Sequence, residues 1–190
     1  MYLIDVRQHQ TPIKEAMRRD PARARTADVV ESMPSDLRDP MRVRVGRSGD
    51  QPFEVSVGLH RAAGGDPALP CPGDVLAAAL AACQELTVRM VAANMGIELA
   101  GVHVAVTSRS DLRGTLAVDR NVKVGAERID LRTHVTVRGG DPERSRRLLA
   151  AAERYCSILD TLRHPPEIAA TLTVEHVGDD APLPASSAAP

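Results

Sequence analysis

Three thiols are the residues best equipped for chemistry in this 190-residue chain: Cys71, Cys83 and Cys156. A cysteine acts as its thiolate, which attacks electrophilic oxygen or sulfur, can be oxidised to a sulfenic acid, and closes a disulfide with a second thiol. Cys83 and Cys156 are 73 residues apart. That separation fits neither a Cys-x-x-Cys redox motif nor the close ligand pairs of a zinc ribbon. The two can meet only if the elements that carry them pack together. Cysteine is also a small hydrophobe and among the most buried residue types, so spacing alone leaves open both a redox pair and two core thiols. Cys71 lies just outside the long helix that holds Cys83. About eleven helical residues span roughly 16 Å, so a Cys71–Cys83 disulfide is strained, and Cys71 is expected to be an accessible bystander or an alternative resolving thiol.

Other constellations carry less. The six histidines (His9, His60, His103, His134, His164, His176) form no His-Glu-x-x-His and no Cys–His metal spacing. His103, His134 and His176 fall on expected strands, where half-exposed histidines are the ordinary outcome. Gly64-Gly65-Asp66 is a loop without a phosphate-cradling pattern, and serine-hydrolase motifs are absent. No metal and no cofactor is expected. The net charge is −1, with one Phe, two Tyr and no Trp. A basic footprint and stacking rings are both missing, so nucleic acid is not an expected partner. The N-terminal apolar stretch is broken by Asp5 and Arg7, unlike a signal peptide. No apolar run reaches the roughly 18 residues of a membrane helix. Three cysteines make an odd, small set for a secreted disulfide scaffold. A reducing, cytoplasmic compartment is the expectation.

The positioning elements follow from periodicity. Residues 1–40 read as an N-terminal helical arm, with seven basic and seven acidic residues, hence a solvated segment lying across the core or a partner. Thr11-Pro12 is its expected helix start and Asp20-Pro21 its stop. Met41–Gly46 and Phe53–Leu59 alternate apolar and polar residues around Gly49-Asp50, which predicts a hairpin. Pro72-Gly73-Asp74 opens a long helix and Gly96 closes it. Its alanine-rich body (VLAAALAACQELTVRMVAAN) is apolar on several sides, so it should be buried in the core or between subunits. Alternation returns in Ile97–Thr107 and Ile129–Val137. Asp141-Pro142-Glu143 starts a second helix in which Leu148, Ala152 and Cys156 form one stripe, joined by Leu149 and Tyr155. A short helical turn over Ser157–Leu162 follows, then Pro165-Pro166, and Ala169–Val177 is a last expected strand. Residues 179–190 have the composition of a flexible tail. Strands in pairs between helices predict an α+β fold with antiparallel sheets packed on a long central helix, built from a 41–178 domain.

Two motifs bear a resemblance. Pro72-Gly73-Asp74-Val75-Leu76-Ala77-Ala78-Ala79-Leu80-Ala81-Ala82-Cys83 resembles the signature helix of the OsmC/Ohr family, Pro-x-[Glu/Asp]-Leu-Leu-x-Ala-Ala-Leu-Ala-Ala-Cys. The stretch Ala152-Glu153-Arg154-Tyr155-Cys156-Ser157-Ile158-Leu159-Asp160-Thr161-Leu162 is similar to its second signature, in which Pro-Val follows the Cys and Thr-Leu comes a few residues on. Asp111-Leu112-Arg113-Gly114 resembles a family turn between them. The resemblance implies an OsmC-like fold and an intertwined homodimer with two central helices at its heart. It also implies a thiol peroxidase: Cys83 peroxidatic, Cys156 resolving, an organic hydroperoxide as substrate and a dithiol as reductant. Burial of Cys83 in mid-helix raises a thiol pKa, so a positive group must reach it. The family uses an arginine held by a Glu that starts the signature helix. Arg61, then Arg47 and Arg44, are the candidates, with Asp74 as the acidic partner. The sequence departs from the family in carrying Gly73 at one position for that Glu and Ser157 where Pro is usual. Two rival readings are a non-catalytic dimer holding a small apolar ligand, and a structural dimer whose arm recruits a partner protein.

Overall fold

The computed structural model describes residues 2–50 and 52–176. They divide into two compact units. The first comprises the chain up to Asp28 together with Gly73–Pro165. The second comprises Val29–Pro72 and the described residues from Pro166 on.

In the first unit, helix α1 (Val6–Arg19) begins five residues before the expected Thr11. The Asp5 carboxylate accepts from the Gln8 N–H at 3.0 Å and so caps the helix there. Pro12 therefore sits inside α1, not at its first position. Arg7 donates to the Asn94 carbonyl at 3.0 Å, and Tyr2 donates to the Ile97 carbonyl. Both bonds fasten the N-terminal segment to the far end of α2 (Pro72–Met95). A third donor, Arg144, reaches the Met95 carbonyl. Cationic side chains thus satisfy the orphan carbonyls at the negative end of that helix. Gly96 follows in the left-handed conformation, φ +64°, as a helix-terminating glycine should.

Helix α2 buries one stripe, Leu80, Gln84, Val88 and Ala92, with Thr87 beside it. The opposite side is open: Leu86 and Met90 are 59% and 39% exposed. Within the single chain the expected burial on all sides therefore holds for one face only. By length and composition α2 could cross a membrane, with a window of mean hydropathy 1.5 of which 28% is buried. This corrects the expectation that no stretch was apolar enough. Glu85 and Arg89 interrupt the run in sequence, but on the helix they form an i,i+4 ion pair.

The buried stripe packs on an antiparallel pair, β4 (Leu99–Arg109) and β5 (Arg128–Val137), whose register sets Val102 opposite Val135 and Val106 opposite Leu131. A short α3 (Leu112–Thr115), capped by Asp111, occupies the turn between them. Gly114 is required there, because a Cβ would lie 2.5 Å from the Lys123 carbonyl oxygen. Helix α4 (Pro142–Tyr155) starts on the expected Asp141 cap, and α5 (Ser157–Arg163) follows directly. Leu148, Ala152 and Cys156 are 0–1% exposed, as the stripe requires. Leu149 and Tyr155 are exposed, so the stripe is narrower than expected.

In the second unit, β1 (Glu31–Met33), β2 (Arg42–Arg47) and β3 (Phe53–Gly58) form an antiparallel sheet in that order. The hairpin was legible, but the three-residue β1 was not. Cys71 is buried, which corrects its expected accessibility. The Pro70 carbonyl beside it accepts from Gly58 N–H at 2.9 Å and ties this loop to β3. The expected strand at Ala169–Val177 does not form over 169–176. Ile168, Leu172 and Val174 are 81–95% exposed there, and a strand needs a neighbour to satisfy its backbone. Residue 177 and the tail lie outside the described residues. The architecture is α+β with antiparallel sheets and one long helix, as the element order predicts.

Candidate active site

Cys83 lies in the middle of α2 and is partly buried. Its turn is braced by Thr87, whose buried hydroxyl donates to the Cys83 carbonyl at 2.7 Å. Cys156 ends α4 and serves as the cap residue of α5, with φ −76° and ψ 100°. Its carbonyl accepts the Asp160 N–H at 3.0 Å, the first bond of α5. Leu80 of α2, Cys156 and Leu159 of α5 form a buried cluster, and Cys83 packs against it with Val106, Ile129 and Leu131 from the strands. Helix packing thus brings together two thiols 73 residues apart in sequence. Cys83 packs against the buried cluster that contains Cys156, and both thiols are free.

The two sulfurs sit in unequal fields. Burial pushes the Cys83 thiol up. Against it act the Ile158 N–H, the Ser157 hydroxyl, the Cys156 thiol and the Ser157 N–H, and together they bring Cys83 below the ordinary thiol value. The same burial raises Cys156, and the neighbouring Cys83 adds to the rise through its hydrogen bond and charge; the N–H groups of Leu159 and Ile158 only partly offset this. Cys156 makes no side-chain cap bond to α5. The first-turn amides of α5, orphaned as at any helix start, are left to favour negative charge on the thiols. The asymmetry favours ionisation of Cys83 over Cys156.

Ser157 Oγ lies 3.5 Å from Cys83 Sγ. Sequence reasoning registered Ser157 only as a departure from a proline. Its adjacency to Cys156 was the signal that could have placed it at the site.

Asp74 stands in the first turn of α2. The three candidate arginines all belong to the second unit. Arg44 pairs with Glu54 at 2.6 Å across the hairpin. Arg47, at the end of β2, lies over the Phe53 ring with 5.6 Å to the centroid. Arg61 opens a short 3₁₀ turn capped by the His60 ring, which accepts the Ala62 N–H at 3.1 Å. Within the first unit, the groups that draw Cys83 down come from the start of α5. His103 and His134 face each other across β4 and β5 and are exposed. Among the described residues no three His, Cys, Asp or Glu side chains are placed to hold a metal.

A cavity of about 610 Å³ opens in the first unit beside the thiol cluster. It shares Leu80 and Leu159 with that cluster and is also lined by Gln84, Leu131, Glu153 and Arg163. Glu153 and Arg163 pair at 2.7 Å. Gln84 is 4% exposed, and among the described residues its Oε1 has no hydrogen-bond partner.

A family model described as OsmC-like protein matches residues 64–171. No curated protein matches the sequence. Solved structures are similar in fold at low identity. An OsmC-like protein from Mycoplasma pneumoniae is 14% identical, with a TM-score of 0.57 over 74% of this chain and 89% of that one. An OsmC-like protein of unknown function from Vibrio cholerae is 13% identical, with a TM-score of 0.55 over 72% and 94%. An organic hydroperoxide resistance protein from Elizabethkingia anophelis is 15% identical, with a TM-score of 0.51 over 74% and 92%.

Proposed function

Because the chain belongs to the OsmC-like protein family, we propose that it is a cysteine-dependent thiol peroxidase that reduces organic hydroperoxides, with Cys83 as nucleophile and Cys156 as resolving thiol. The observation that carries this reading is the packing of the free Cys83 thiol against the buried cluster that holds the free Cys156 thiol; hydrogen-bond donors at the start of α5 lower the first thiol's pKa, and burial raises the second's. The Cys83 thiolate attacks the terminal oxygen of the hydroperoxide and the O–O bond breaks. With one proton taken up, the products are an alcohol and a sulfenic acid on Cys83. The Cys156 thiol then displaces water from that sulfenic acid to form the disulfide. A dithiol reductant returns both cysteines to thiols and leaves as its own disulfide. Leu80, Leu131 and Leu159 offer an apolar wall for the organic part of such a substrate. Arg61, Arg47 and Asp74 are the residues proposed, by family resemblance, to complete the site. Such a cycle suits a reducing, cytoplasmic setting.

The open side of α2 and the strandless segment 166–176 support a homodimer. Each leaves large apolar side chains in water, and a second copy of the chain is the proposed cover. The buried, unpartnered Gln84 carbonyl on the cavity wall favours a second reading, in which the cavity holds a small ligand without turnover.

The test is consumption of an organic hydroperoxide by purified protein with a dithiol. Turnover is expected from the wild type and should be abolished in Cys83→Ser. Equal inertness of both proteins would overturn the peroxidase reading in favour of the second.

A further inference from the structure

We propose that Ser157 is the residue that selects Cys83 as the nucleophile of the pair: its hydroxyl, 3.5 Å from Cys83 Sγ, accepts from the neutral thiol and turns to donate once the sulfur is ionised. This inference rests on the reading of Cys83 as the reactive thiol. It does not require that a hydroperoxide be the substrate.

Three observations carry it. First, the contact is to one sulfur of the two, although Ser157 is bonded in the chain to Cys156. A hydroxyl donating to a thiolate forms a charge-assisted hydrogen bond, stronger than the neutral bond it replaces. The preference therefore falls on ionised Cys83. Second, the other groups of the first unit that favour the Cys83 thiolate are backbone N–H groups, that of Ile158 foremost, and the Cys156 thiol, so Ser157 brings the hydroxyl of the set. Beside Cys83, β4 and β5 present Val106, Ile129 and Leu131, and the titratable group contributed by α4 is Cys156. Several charged side chains on these elements pair with one another: Glu85 with Arg89, Glu153 with Arg163, Asp160 with His164, and Asp130 with Arg128 and Arg109. Third, a serine at this position keeps a backbone N–H that a proline would lack. That amide also favours the Cys83 thiolate, so Ser157 contributes through both its side chain and its main chain.

The experiment measures the rate of iodoacetamide alkylation at Cys83 and at Cys156 against pH, each read on its own peptide by mass spectrometry. The proteins are the full-length wild type, Ser157→Ala, Ser157→Gly and Ser157→Thr. Wild-type Cys83 should react with an inflection below that of Cys156. Ser157→Ala and Ser157→Gly should both move the Cys83 inflection upward and slow its alkylation near neutral pH by about tenfold, the effect of one pKa unit. Ser157→Thr, which restores a hydroxyl, should return it toward wild type. Unchanged Cys83 inflections in Ala and Gly variants that retain the wild-type circular dichroism would overturn the proposal. So would a shift that Thr does not reverse. If either small variant unfolds, the other carries the comparison. A protein inert toward hydroperoxides that still shows the hydroxyl-dependent shift would support this role while overturning the peroxidase reading.

Discussion

At the residue scale, the two neighbouring thiols ionise unequally. A thiolate reacts and a thiol does not, so the sulfur with the lower pKa carries more reactive form at any pH below its titration. Cys83 is lowered and Cys156 raised, so alkylation at neutral pH should label Cys83 first. Labelling of Cys156 should follow only at higher pH than for an ordinary thiol, about 8.5. Because the groups interact, the two steps belong to the pair, with the first mainly on Cys83. Peptide mapping after brief alkylation checks this, and preferential labelling of Cys156 would contradict it. Removing the second thiol isolates the first step. After one equivalent of hydroperoxide, Cys156→Ser should accumulate a Cys83 sulfenic acid that dimedone traps, whereas the wild type should pass on to disulfide. The two cysteines were legible in the sequence because each sits on an apolar helical stripe. Ser157 was not, because a hydroxyl at a helix start reads as ordinary surface until the neighbouring helix is in place.

At the scale of elements, the stripe on α4 supports the geometry of the site. Leu148, 1% exposed, packs with Ala92 and Ile97 in the second buried cluster of the first unit. Leu148→Ala should destabilise the protein by about 2–5 kcal/mol, the range for a truncated core leucine. Leu149, its neighbour in sequence, is 44% exposed. Leu149→Ala should cost less than about 1 kcal/mol. Urea unfolding of both variants separates the two expectations, and equal losses would contradict the placement of the stripe. Asp141-Pro142 and Gly96 marked their helix ends in the sequence because caps and left-handed glycines act locally. Thr11-Pro12 misled for the same local reason. Thr-Pro is a good helix start, but Asp5 caps six residues earlier and the helix carries Pro12 within it. The three-residue β1 was invisible, since so short a strand has no period to detect. Tertiary pairing with β2 defines it.

At the scale of the whole molecule, the described chain leaves apolar surface uncovered. Leu86 and Met90 on α2 and Leu172 and Val174 near the end of the described chain are water-exposed. The alternation that predicts a strand at Ala169–Val177 is a property of the sequence, while a strand over 169–176 needs a neighbour that the described residues do not supply. The homodimer proposed above predicts twice the chain mass by light scattering at micromolar concentration. Leu86→Glu, which puts a charge on the open face of α2, should shift the protein toward monomer. A wild type that is monomeric across that range would contradict the assembly.

If Cys83 and Cys156 form one redox pair, mass spectrometry of the wild-type protein after one equivalent of an organic hydroperoxide, digested without reductant, should reveal a new peptide linking Cys83 to Cys156, with Cys71 left unmodified. Two thiols that remain reduced, or a disulfide that joins Cys71 instead, would contradict that pairing.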